Sequence, residues 1–147
     1  MKRLWACSSL LLLLTACDKN EVGDISLGIF TTQDPIVTGV TCHVASIEAD
    51  LSLSDPSDSS IACRQTGEIT SAMIAAIDKS TSGEVVFKKS KSIFFKSMKI
   101  RRVFDEQSQT LMYVSYSTKE TSGSFKHSLS TVPLWGTAAY KIPVAIN

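Results

Sequence analysis

Histidine occurs only twice in the 147 residues, glycine seven times and proline four. So little Gly and Pro excludes collagen-like and low-complexity architectures, and no segment recurs with the period of a repeat protein. The longest apolar run, Leu4 to Ala16, spans 13 residues, short of the roughly 20 that a membrane-crossing helix needs. There is no Cys-x-x-Cys pair, Gly-x-Ser-x-Gly elbow, His-Glu-x-x-His helix or phosphate-cradling Gly-rich loop, so no motif calls for a metal, a cofactor or a nucleophilic centre. What is present, 44% apolar and 20% charged residues, suits one globular domain.

The amino terminus reads as an export signal. Lys2 and Arg3 form its charged region and Leu4 to Ala16 its apolar region, the order of a secretory signal peptide. Leu14-Thr15-Ala16-Cys17 resembles the lipobox of bacterial lipoproteins, in which the cysteine thiol takes a diacylglycerol and becomes the first mature residue. The expected organisation is therefore a signal peptide over 1–16, a lipidated tether over 17–24 and a single domain over 25–147. A lipidated Cys17 makes the membrane a partner and places the protein on the periplasmic side of a bacterial membrane. Asp18 resembles the inner-membrane retention signal, which favours inner over outer membrane. The alternative is an ordinary signal peptide and a soluble periplasmic protein.

Processing leaves Cys42 and Cys63 as a spare pair in an exported chain, where thiols oxidise. Val40, Cys42 and Val44 alternate with Thr41 and His43, and Ile61 and Cys63 alternate with Ala62 and Arg64. Both thiols thus fall on the apolar parity of their strands, and a structural disulfide is expected.

The body reads as mainly β, α+β in detail: antiparallel sheet or sandwich with one short helix around 69–78. Strands are expected over 25–31, 37–47, 61–66, 84–88, 92–104, 111–117 and 125–134, with turns at Asp34-Pro35 and 105–109. Ile69, Met73, Ala76 and Ile77 fall at helical spacing, with Thr66 or Thr70 as cap. In the strand over 92–104, Phe94, Met98, Ile100 and Phe104 share one parity and Ile93, Phe95 and Val103 the other. Both faces are then partly covered, or a bulge near Lys96 switches the register.

Charge is strongly divided. Residues 17–78 carry a net −8 and residues 79–147 a net +7. The densest basic stretch holds Lys88, Lys89, Lys91, Lys96, Lys99, Arg101 and Arg102 without an acid. In a cytoplasmic protein it would point to nucleic acid. Export removes that partner and leaves anionic headgroups, lipopolysaccharide phosphates or an acidic envelope protein. The competing reading is a solvated strand face whose lysines discourage edge pairing and balance the acidic half.

No catalytic residue can be assigned. A hydrolase site assembled in three dimensions around His127, a serine and a carboxylate is the alternative to a non-enzymatic binding or accessory protein.

Several stretches in one order carry a family resemblance: Val40-Thr41-Cys42-His43-Val44, Ser60-Ile61-Ala62-Cys63-Arg64-Gln65 and Gly83-Glu84-Val85-Val86-Phe87-Lys88-Lys89. They continue through 92–103 and 112–117 and close with Leu129-Ser130-Thr131-Val132-Pro133-Leu134-Trp135. From Ile29 to Trp135 the chain resembles the CreA family, exported bacterial proteins without an assigned biochemical activity. The resemblance implies a periplasmic domain in which Cys42 and Cys63 are a recurring pair, and supplies no catalytic residue.

Overall fold

The computed structural model describes residues 25–49, 59–91, 96–118 and 127–142. The expected signal peptide, the lipid-bearing Cys17 and the tether lie outside them. Among the described residues seven strands and one helix follow in order: β1 (Ile25–Gln33), β2 (Val40–Ala49), β3 (Ser59–Gln65), α1 (Ser71–Ala76), β4 (Glu84–Lys91), β5 (Lys96–Asp105), β6 (Thr110–Ser117) and β7 (His127–Pro133). The strands form two antiparallel meanders, β1-β2-β3 and β4-β5-β6-β7. Among the described residues the protein is mainly β with one short helix, as its alternating pattern implies.

Asp34 turns the chain from β1 into β2, its Oδ1 accepting the amides of Ile36 at 2.9 Å and Val37 at 2.8 Å. Gly39 is required beside that turn because a Cβ there would meet the Glu68 carbonyl oxygen at 2.2 Å. The helix is shorter than its apolar spacing suggests, for a physical reason. Thr70 caps it, its Oγ1 accepting the Met73 amide at 3.3 Å, and Ile69 and Ile74 take the two positions of a hydrophobic staple across that cap. Ile77 is already extended, so Ile69 and Ile77 anchor in the core from outside the helix. Gly83 enters β4 at φ +59, where a Cβ would collide with the Arg102 carbonyl.

The core lies between the two sheets. Val40, Cys42, Val44, Ile61 and Cys63 come from the first, Met98, Ile100, Leu111, Tyr113 and Val132 from the second, and Ile69, Ile74 and Ile77 close one end. Cys42 and Cys63 face each other in the β2–β3 register and are disulfide-bonded, with Cα atoms 4.0 Å apart. So close an approach marks a non-hydrogen-bonded cross-strand pair, which turns the Cys63 amide away from β2 and towards β7. There it donates to Ser130 Oγ at 2.8 Å, joining the sheets along one seam. Phe30 of β1 stacks on Phe87 of β4 at 5.2 Å between centroids and joins them along the other.

The register shift among the basic strands is in β4, between Val85 and Phe87. Across the described part of β5, Lys96 to Asp105, the ladders with β4 and β6 show no register shift on the β5 side, so the alternative of a bulge at Lys96 is not met there. Phe94, Phe95 and Ile93 lie outside the described residues.

Candidate functional site

Alternation along β5 sorts the basic stretch into groups with different surroundings. Met98, Ile100 and Arg102 point inward, whereas Lys99, Arg101 and Val103 point outward. Arg102 is only 1% exposed, which corrects its expected place on an anion-binding surface. Its Nη1 donates to both oxygens of the buried Asp34 carboxylate, and its Nη2 to Glu84 Oε1. The Tyr113 hydroxyl donates to Asp34 Oδ2 at 2.8 Å. Burial first, then the neighbouring Asp34 charge and its hydrogen bond, push the Tyr113 phenol well above the usual tyrosine range. The phenol therefore stays a proton donor, and the cluster is an ion-paired clamp between the β1–β2 turn and the four-stranded sheet.

Lys89 also leaves the expected set. It faces the inner side opposite Met98, and its Nζ sits 4.6 Å from the centroid of the Phe30 ring, a cation–π contact over the seam. Lys91 and Lys96 are register partners, and their side chains are outside the described ones.

Lys88, Lys99 and Arg101 remain on the outer face of the four-stranded sheet. The ladders place Lys88, Lys99, Tyr116 and His127 in one row across all four strands, and Val85, Arg101, Val114 and Leu129 in the next. Val85 is 39% exposed and Leu129 56%. Arg101 Nη1 donates to the carbonyls of Ser82 at 2.7 Å and Gly83 at 3.3 Å, which fix the guanidinium without cancelling its charge. Among the described residues the outward carboxylate of this sheet is Asp105, six residues along β5 from Lys99 and four from Arg101, roughly 20 and 13 Å away. Its oxygens already accept the Gln107 and Ser108 amides and the Ser108 hydroxyl. Among the described residues, the part of the face around Lys88, Lys99 and Arg101 is cationic, with apolar side chains set among the cations.

The two histidines lie on different sheets. His43 shares a 2.9 Å hydrogen bond with Thr31 Oγ1 on the outer side of the first, and His127 stands opposite Tyr116 on the second. Neither lines the cavity of about 90 Å³ bounded by Ile74, Phe104, Leu134, Lys79 and Lys141, which is well below the roughly 300 Å³ of a typical small-molecule site. Among the described residues no three His, Cys, Asp or Glu side chains gather as metal ligands, and no helix is long and apolar enough to cross a membrane.

A small two-sheet β protein with a cross-strand disulfide, an internal ion cluster and one cationic sheet face defines the class. The CreA protein family matches residues 22–137, and the chain belongs to that family. It is 40% identical over 107 residues to Protein CreA of Escherichia coli K12, covering 69% of this chain and 68% of that one. The same figures hold for Protein CreA of the O6:H1 and O157:H7 strains. No solved structure matches.

Proposed function

We propose that this CreA-family protein is a non-enzymatic binding or accessory module, held on the periplasmic side of a bacterial membrane, the inner one in preference, by diacylglycerol on Cys17. Its working surface is the outer face of the four-stranded sheet. The observation that carries this reading is the pair of rows Lys88, Lys99, Tyr116, His127 and Val85, Arg101, Val114, Leu129, which combine charge and apolar contact on one face. The lipobox-like Leu14 to Cys17 supports the tether, because two or three acyl chains hold a protein at a bilayer far more firmly than one. The Cys42–Cys63 disulfide accords with an oxidising compartment.

Two measurements test it. Intact mass of the membrane-extracted chain should correspond to residues 17–147 plus acyl groups, and a soluble chain retaining Met1 would refute the tether. A photo-crosslinking side chain placed at Lys99 should capture ligand in cells while one at Ala62, on the outer face of the other sheet, does not. Equal capture at both would remove the working surface.

A further inference from the structure

We propose that the outer face of the four-stranded sheet lies against an anionic lipid leaflet, with Lys88, Lys99 and Arg101 at the phosphates and Val85 and Leu129 against the acyl boundary. This rests on the proposed tether at Cys17 and names the ligand of the proposed working surface.

Lys88 stands directly opposite Lys99, and like charges in cross-strand pairs repel. Lysine on an edge strand guards against edge pairing. That accounts for Lys88 on β4, but Lys99 belongs to β5, which is paired on both sides by β4 and β6 and has no edge to guard. Nor, among the described residues, do the nearby carboxylates balance these cations, since Glu84 accepts from Arg102 and Asp105 closes its own hairpin loop. A layer of anions outside the protein relieves the repulsion.

An acidic protein partner would need a contour to read, whereas a bilayer needs a broad face with cations beside apolar groups, as interfacial segments have. Here Leu129 and Val85 end one row with Arg101 between them, and lysine stems reach past apolar neighbours while their ammonium groups stay at the headgroups. Residues 17–24, extended, would reach about 28 Å, so the tether keeps such a face within range of the leaflet.

The test uses the lipidated chain extracted from membranes and reconstituted into phosphatidylglycerol or phosphatidylcholine vesicles, with lysine acetylation read peptide by peptide. Lys88 and Lys99 should be protected about tenfold in the anionic vesicles, as the attraction of one or two basic residues would give. Protection should fade as salt rises from about 0.05 to about 0.5 M, while Lys79 and Lys141 at the cavity label alike in both lipids. Leu129→Glu leaves both reporter lysines in place and should return their labelling to within about twofold of the neutral case. Equal labelling of Lys88 and Lys99 in the two lipids overturns the proposal. So does protection that appears in neutral vesicles only when an acidic envelope protein is added, which would assign the face to protein. The intact mass of the same sample reports the lipid on Cys17 separately, so a missing tether is distinguishable from a face that does not bind.

Discussion

Arg102 and Asp34, 68 residues apart in the chain, form a buried ion pair that fastens the β1–β2 turn to the centre of the opposite sheet. Asp34 is already committed to the turn through the Ile36 and Val37 amides, so the guanidinium compensates a carboxylate that the local backbone requires. Glu84 and Tyr113 complete the cluster. Arg102 Nε has no partner within it, a polar cost the cluster carries for bringing four segments together.

Removing only the cation should be severe. Arg102→Met leaves Asp34 charged and buried, and breaking such a pair typically costs about 3–5 kcal/mol. Adding Asp34→Asn keeps an oxygen for the turn amides and deletes the orphaned charge, so the double variant should regain about 1–3 kcal/mol, the usual coupling of contacting residues. Urea denaturation of the two variants measures this. A double variant no more stable than Arg102→Met would show that the pair does not act as described.

The phenol of Tyr113 gives the cluster a pH dependence with a definite sign. Its folded pKa is raised above the ordinary value of 10.0, so the folded state holds a proton that the unfolded state releases in alkali. The stability linked to this group is complete below about pH 10 and declines as pH rises further. Tyr113→Phe cannot ionise in either state and should flatten the alkaline limb of the stability curve between about pH 10 and 11.5. It should also lower stability at neutral pH by about 1.5–3 kcal/mol through the lost bond to a charged acceptor. An alkaline limb as steep as that of the parent would assign the effect to other groups.

Much of this arrangement is legible in the sequence, for reasons that differ by residue. Strand positions follow from period-two alternation, which survives in 40–44 and 61–64 because one face of each strand is buried. Cys42 and Cys63 share that parity, and their register pairing is what alternation cannot supply. Arg102 carries a readable signal, since it has the parity of Met98 and Ile100. A count of charges along the chain hides it, because density along the chain treats both faces of a strand alike. Asp34 reads only as a turn former, and nothing local says that its second role lies across the molecule. Glu84 and Tyr113 join it only through the β4–β5 and β5–β6 ladders, which are long-range facts. The face formed by Lys88, Lys99 and Arg101 emerges when the β4 register shift between Val85 and Phe87 is known.

The disulfide should contribute to stability through the chain it closes. Its partners are 21 residues apart, a loop for which the chain-entropy account gives about 3 kcal/mol. Replacing both cysteines by alanine should lower the denaturation midpoint accordingly. Dithiothreitol should lower the parent's midpoint while leaving the double variant unchanged. A double variant as stable as the oxidised parent would deny the bond a structural role.

The seam between β3 and β7 depends on one hydroxyl. Cys63 cannot give its amide to β2, since its pairing with Cys42 is of the non-hydrogen-bonded kind, and Ser130 Oγ receives it at 2.8 Å. The same hydroxyl lies 3.5 Å from the Cys63 carbonyl, so one side chain bridges two backbone groups that a directly paired strand would otherwise satisfy. Ser130→Ala leaves the amide without its acceptor in a partly buried place, at a cost of about 1–3 kcal/mol. Ser130→Thr retains the oxygen and should recover most of that loss. Hydrogen exchange locates the effect. In Ser130→Ala the Cys63 amide should exchange faster, while Leu111 and Tyr113, within the β5–β6–β7 ladder, keep their protection. Uniform acceleration at all three sites would mean that the substitution lowers global stability without opening the seam.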